Sequence, residues 1–252
     1  MNTVLITGCS SGYGLATALH FHAKGWTVLA GMRRPQALPD GLVPKSPRFQ
    51  PIALDVTDSA SIVGTLQACG PIDVLVNNAG IGLFGAFEAT PMATVREVFD
   101  TNTLGTMAMC QAVLPQFRER RAGVIVNVTS SSVLAPMPLV AAYTASKTAV
   151  EGFTASLALE LAEFGIRARL VQPGYAPTTR FAANGGERMQ GLVPEAYAGY
   201  AQKVFAMLTQ VKAVTDEADV AEAVWLSATE VNGPLRLPAG ADAVALARGG
   251  VS

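Results

Sequence analysis

TVLITGCSSGYGLATALHFHAKGWTVLAG, residues 3–31, decides the fold. TVLIT (3–7) is a β-branched apolar run that reads as a strand. TGCSSGYG follows, with Gly8, Gly12 and Gly14, and opens GLATALHFHAK (14–24), a helical pattern that Gly25 closes at its C-terminal cap. TVLAG (27–31) is a second strand. Strand, glycine-rich turn, helix and strand make one βαβ unit. Such a turn lets backbone approach a pyrophosphate, and the helix it opens offers amides and a positive dipole end to the anion. The triplet spacing alone also fits an ordinary glycine-rich turn. Its place between the first strand and the first helix is what favours dinucleotide binding.

The rhythm continues outward from there. Between Arg34 and Arg48 stand four prolines (35, 39, 44 and 47), so a loop is expected where a second helix could have been. FQPIAL leads to Asp55, a helix is expected over about 58–68, and IDVLVN (72–77) is a strand. Thr90-Pro91 offers a capping hydroxyl with proline at the first helical position, which predicts a helix running to about Glu119 with Pro115 as the place for a kink. GVIVNVTS (123–130) is a buried strand, 141–164 the longest helix, ended by Gly165, IRARLVQ (166–172) a strand and 216–229 a late helix. No internal repeat, low-complexity tract or linker interrupts the series. The expectation is an α/β fold: a single Rossmann-like, doubly wound parallel sheet with helices on both faces. One domain is expected over 1–252, with a substrate-loop or lid segment at about 175–212.

Composition agrees and excludes alternatives. Of 252 residues, 50% are hydrophobic and 15% charged, which suits a sheet buried on both faces and leaves apolar surface for subunit contacts. The formal net charge is −1 and no basic run stands out, so nucleic-acid binding is not expected. MNTVLITG has neither a basic n-region nor a long apolar h-region, so no signal peptide is expected, and no stretch reads as a membrane span. Cys9, Cys69 and Cys110 match neither a disulfide framework nor a zinc spacing, which fits a reducing, cytoplasmic location. His20 and His22 have no carboxylate at ligand spacing, so no metal site is expected.

In a doubly wound sheet, ligands bind beyond the carboxyl ends of the strands, where most of the unusual residues fall. The first turn supplies Gly8, Ser10, Ser11, Gly12, Tyr13 and Gly14. AGMRRP, after the second strand, has no carboxylate for the ribose diol of NAD; Met32 is followed by Arg33 and Arg34. Arginine there would pair with a 2′-phosphate, which favours NADP(H) and keeps NAD(H) possible. The other reading is two solvated arginines. In LDVTD, Asp55 would accept from the adenine amino group and the Val56 amide bind a ring nitrogen, or Asp55 would cap the next helix. NNAG (77–80) brings Asn78, Ala79 and Gly80, TSSS (129–132) brings hydroxyls, and PGYAPTT spans 173–179. YTASK (143–147) sets a tyrosine and a lysine four apart, stacked on one helix face about 6 Å along the axis. A neighbouring ammonium favours the ionised phenol and makes it a general acid or base. A surface pair on an amphipathic helix has the same spacing.

Taken together, TGCSSGYG, Asp55, NNAG, Ser130, YTASK and PGYAPT resemble, in order and spacing, the short-chain dehydrogenase/reductase family over about residues 3–180. The resemblance implies that Tyr143 is the proton donor in carbonyl reduction and the base in alcohol oxidation. It implies that Lys147 lowers the pKa of Tyr143 and holds the nicotinamide ribose, and that Ser130 polarises the substrate. Asn102, in FDTNTLG, matches the asparagine that holds a relay water, and Thr178 with the backbone near Pro173-Gly174 would orient the carboxamide. CSSG and AGMRRP are similar to the hydroxysteroid and retinol dehydrogenase branch, while the proline-rich stretch at 35–47 departs from the pattern and bears on Arg33 and Arg34.

Specificity is assigned to APMPLV (135–140) and to the segment from Tyr175 to about Leu208, with Met137, Leu139, Tyr175 and Phe181 as apolar lining. That points to a small hydrophobic ketone, aldehyde or secondary alcohol as substrate, although Arg180 and Arg188 could meet an anion. The implied activity is NADPH-dependent reduction. The alternatives are an NAD-dependent secondary-alcohol dehydrogenase, an isomerase, epimerase or dehydratase on the same fold, and a non-enzymatic dinucleotide sensor or scaffold. A homodimer or homotetramer through the helices at about 91–119 and 142–164 is also implied.

Overall fold

Apolar runs buried on both sides favour parallel pairing, and the central strands here meet that condition while the two edge strands are partly exposed. The computed structural model describes residues 2–39, 41–176, 185–210 and 214–249. Its strands are β1 (Thr3–Thr7), β2 (Thr27–Met32), β3 (Phe49–Ala53), β4 (Val74–Asn77), β5 (Gly123–Val128), β6 (Ile166–Pro173) and β7 (Arg236–Ala239). They form one sheet in the order β3-β2-β1-β4-β5-β6-β7, with every pairing parallel. Alternation along each strand feeds two separate cores. Val4 and Ile6 of β1 face one side with Phe21 of α1 (Gly12–Ala23) and Val224 of α8 (Glu217–Thr229). Leu5 faces the other with Ile62 of α2 (Ser59–Cys69), Phe117 of α4 (Gly105–Arg120) and Leu157 of α5 (Ala141–Ala162).

The chain moves outward from β1 to β2 and β3, then returns to the other side of β1 with β4. That reversal opens a crevice at the carboxyl ends of β1 and β4, the position at which doubly wound sheets bind ligands. The glycine-rich turn and NNAG flank it. Among the described residues, no helix is long and apolar enough to cross a membrane.

Several expectations are corrected in detail. The helix after Thr90-Pro91 starts at Met92, with Pro91 at the cap position, and the Thr90 hydroxyl donates backwards to the Ala86 carbonyl at 2.9 Å. The expected continuous helix is two, α3 (Met92–Phe99) and α4, joined by a π turn over Asp100–Leu104. The interruption is that turn; α4 runs unbroken through the exposed Pro115, whose missing N–H matters less on the solvent side. Asp58, not Asp55, caps α2, accepting from the Ala60 amide at 2.9 Å. β7 was not expected, nor were the helices α6 (Gly186–Met189), α7 (Glu195–Gln210) and α9 (Ala241–Ala247). Residues 177–184, 211 and 212 of the expected lid segment lie outside the described residues.

Candidate active site

The glycine-rich turn is fastened to the end of β4 before any ligand is considered. The Thr7 hydroxyl accepts from the amides of Asn78 and Ala79, each at 3.0 Å, and the Asn78 side chain donates to the carbonyls of Thr7 (3.0 Å) and Gly8 (3.3 Å). Glycine is required here for space as well as conformation. Gly8 has φ +76°, and a Cβ on it would lie 2.8 Å from the Ala79 Cα. A Cβ on Gly14 would run into the Gly8 carbonyl and the Asn78 side chain. The Asn78 amide nitrogen thus braces the turn, while Asn78 also lines the cleft where it was expected. Asn77 points into the core, where it donates to Asn127 at 2.9 Å.

A cleft of ≈ 1140 Å³ runs from this turn in both directions. It is larger than ordinary small-molecule pockets of roughly 300–1,000 Å³. Gly8, Ser10, Ser11, Gly12, Tyr13 and Gly14 line its middle. Met32, Arg33, Asp55 and Val56 line one end, where Arg33 is exposed; Arg34 is not part of the lining. Asp55 accepts from the amide and hydroxyl of Thr57 at 2.9 and 2.7 Å, and these bonds, with Arg33 further off, hold its carboxyl below the usual range.

The other end of the cleft is lined by Ser130 and Tyr143 of the expected catalytic set, while Lys147 and Asn102 are buried and not part of the lining. Tyr143 and Lys147 lie on the buried face of α5, and Ser130 follows β5. Ser130, Ser131 and Ser132 all line the cleft, and Ser130 hydrogen-bonds the Tyr143 side chain. Burial pushes the Tyr143 phenol up to about 12, with the Ser130 bond pulling the other way. Burial is the larger of these two causes, and removal from water favours the neutral phenol. Burial also brings Lys147 down to about 8, and its Nζ donates to the Val128 carbonyl at 3.0 Å. Gly80 leaves room beside it, since a Cβ there would lie 3.3 Å from both Lys147 Nζ and Asn102 Oδ1.

Asn102 sits fully buried in the π turn, where its side chain is fully engaged. Its Oδ1 accepts from the Ile81 amide at 2.8 Å, and its Nδ2 donates to the Ile81 carbonyl (3.0 Å) and the Ser146 hydroxyl (3.1 Å). Ser146 donates in turn to the Tyr143 carbonyl at 2.7 Å. The small residues inside YTASK thus serve a bond between α5 and the π turn, a use the sequence did not reveal.

Pro173 and Gly174 line the cleft opposite the glycine turn, and the Tyr13 hydroxyl donates across to the Gly174 carbonyl at 3.3 Å. Burial raises the Tyr13 phenol, with Tyr143 a smaller contributor. The Tyr175 amide donates to Asp242 at 2.6 Å, and Thr215 donates to the same carboxylate at 2.6 Å. Sequence reasoning missed Asp242 and Thr215, which stand far along the chain from the loop they hold. Thr178 and Phe181 lie outside the described residues.

Met137 and Tyr175 line the apolar end as expected, joined by Leu83, Phe84, Met189 and Phe205. Phe84 and Phe205 pack with ring centroids 4.9 Å apart, so α7 closes that side. Leu139 is a correction: it lies off the cleft, in the left-handed region at φ 61°, and its carbonyl accepts from the Gly85 amide at 2.7 Å. Arg188, expected as a possible anion contact, is engaged with Glu97 through bonds of 2.6 and 3.1 Å.

This arrangement has known counterparts. The short chain dehydrogenase family matches residues 2–189. The chain belongs to that family. An uncharacterised oxidoreductase, YusZ of Bacillus subtilis, is 35% identical over 238 residues, covering 90% of this chain and 84% of that one. Human retinol dehydrogenase 8 is 41% identical over 180 residues, covering 68% of this chain and only 58% of its own. Among solved structures, a short-chain dehydrogenase from Streptomyces avermitilis superimposes with a TM-score of 0.83 at 37% identity, covering 98% of this chain and 91% of that one. A serine dehydrogenase in its closed form, complexed with NADP+, does so at 0.78 and 29%, covering 94% of each. The family consists of oxidoreductases acting on CH–OH groups, and its bound nicotinamide dinucleotide agrees with a cleft of this size lined by Gly8, Gly14 and Gly80.

Proposed function

We propose that the chain is an NADPH-dependent carbonyl reductase that converts a hydrophobic ketone or aldehyde to the alcohol, reversibly. The observation that carries this is the Ser130–Tyr143 hydrogen bond at the apolar end of a cleft whose far end presents Arg33. When bound, the dinucleotide supplies hydride. Ser130 and Tyr143 aim donors at the substrate carbonyl oxygen and stabilise the negative charge that builds there. Burial keeps the Tyr143 phenol protonated, the state from which reduction starts. Lys147 holds the ribose side of the nicotinamide, and Asn102 fixes Ser146 and thereby the first turn of α5.

At the adenosine end, Ser10, Ser11, Arg33, Asp55 and Val56 hold the nucleotide, with Arg33 on the 2′-phosphate. At the nicotinamide end, Tyr13, Ala79, Gly80, Pro173, Gly174 and Thr178 enclose the ring and its carboxamide. Met137, Tyr175 and Phe181 line the substrate pocket. The relative named retinol dehydrogenase supports an apolar substrate, and the NADP+ of the serine dehydrogenase structure supports the cofactor. The chain forms one domain over 1–252 and works in the cytoplasm as a homodimer or homotetramer through α4 and α5, which present Leu104 (55% exposed) at the start of one helix and Leu159 (77%) on the other.

Calorimetric titration of the purified protein with NADPH and, separately, NADH tests the cofactor without a guess about substrate. NADPH is expected to bind at least about tenfold tighter, the worth of one charge-assisted phosphate contact. Tighter NADH would remove Arg33 from the account, and binding of neither would end it.

A further inference from the structure

Glu151 lies two turns beyond Tyr143 and one beyond Lys147 on α5, and it is only 7% exposed. Three donors from separate parts of the sheet converge on its carboxylate. The Thr129 hydroxyl reaches Oε1 at 2.8 Å, the Gln172 side-chain amide reaches Oε1 at 3.0 Å, and Arg236 Nε reaches Oε2 at 2.8 Å. Their places in the chain matter as much as the bonds. Thr129 immediately precedes Ser130, Gln172 immediately precedes Pro173-Gly174, and Arg236 opens β7.

We propose that Glu151 is a positioning residue: one buried carboxylate fixes the strand ends carrying Ser130 and Pro173-Gly174 to the helix carrying Tyr143 and Lys147. The inference rests on the functional reading above. Donor count explains why a carboxylate is needed. Two acceptor oxygens satisfy three donors, whereas glutamine offers one acceptor oxygen and one NH₂ donor group. A guanidinium accepts nothing, so if Arg236 keeps the remaining oxygen, Thr129 and Gln172 must both turn from donating to accepting, which re-orients the hydroxyl and flips the Gln172 amide. Stability is a weak reason for such a group, because well-packed apolar residues often replace a buried ion pair without loss. Fixing two loops against one helix is a stronger reason, since misplacement of reacting groups by about 1 Å can lower a rate about a hundredfold.

The test compares wild type with Glu151→Gln, Gln172→Leu and Thr129→Val. For each, dissociation constants are measured for whichever dinucleotide the wild type binds, NADPH or NADH, and for its adenosine half, 2′,5′-ADP or ADP. Glu151→Gln and Gln172→Leu are expected to weaken the whole dinucleotide by about tenfold or more, while the half is held within about twofold. Thr129→Val severs only the arm towards Ser130 and is expected to leave dinucleotide binding within about threefold. A merely structural role would move both ligands together. If Glu151→Gln fails to fold, Gln172→Leu decides alone. Unchanged dinucleotide binding in Glu151→Gln or Gln172→Leu, or equal loss of both ligands, overturns the inference and leaves the function standing. A wild type that binds neither dinucleotide overturns both.

Discussion

Replacing Lys147 by methionine should make the folded protein relatively more stable near neutrality and destroy its activity. The side chain is 6% exposed, its Nζ donates to the Val128 carbonyl, and burial brings its pKa from the ordinary 10.5 to about 8. The sign follows from proton counting. Below about pH 8 both folded and unfolded chains carry the proton, and the full penalty of burying charge falls on the fold. Between about 8 and 10.5 the unfolded chain keeps a proton that the folded chain has shed, so stability rises with pH. At ~1.4 kcal/mol for each pH unit, the whole interval is worth about 3 kcal/mol, and the part between about pH 6.5 and about pH 9.5 is worth about 2 kcal/mol. Methionine keeps an unbranched apolar stem one heavy atom shorter and has no proton to exchange. Urea unfolding of both proteins at those two pH values gives the difference, in which other titrating groups largely cancel. Wild type should gain about 2 kcal/mol on Lys147→Met as the pH rises. A difference that stays flat, or moves the other way, would refute the claim that Lys147 is buried with its charge.

Asn102→Ala removes an acceptor for the Ile81 amide and donors to the Ile81 carbonyl and the Ser146 hydroxyl, so it should cost about 3 kcal/mol in urea unfolding; a loss under about 1 kcal/mol would mean water replaces the side chain. Gly14→Ala drives a Cβ into the Gly8 carbonyl and the Asn78 side chain, and should both lower stability by about 2 kcal/mol and abolish calorimetric dinucleotide binding. Intact binding in that variant would show that the turn yields where the packing says it cannot.

The parts of the fold legible in sequence are those set by local pattern. The β1 turn could be read because glycine spacing, strand and helix are contiguous, and the sheet because Val4, Leu5 and Ile6 are apolar on both faces. β7 was invisible: four residues including Pro238 form a strand only because β6 is there to pair with them. The π turn depends on Asn102 reaching Ile81 and Ser146, residues 21 and 44 positions away. At the site, residue types were legible but their partners were not. Asn78 lines the cleft but its amide nitrogen also ties down the glycine turn, Asp55 also accepts from Thr57 through one oxygen, and burial raises Tyr143. Glu151, Thr215 and Asp242 belong to no motif, since their meaning comes from strands brought together by folding.

The most direct test of the reductase account is transfer of label from NADPH deuterated at the nicotinamide C4 into a panel of hydrophobic ketones, read by mass spectrometry, with wild type and Tyr143→Phe. The account predicts an alcohol labelled at the carbinol carbon with wild type, and a rate lower by about 10²–10⁴ with Tyr143→Phe, the usual worth of a positioned proton donor. Unlabelled product, or a Tyr143→Phe variant as fast as wild type, would contradict it.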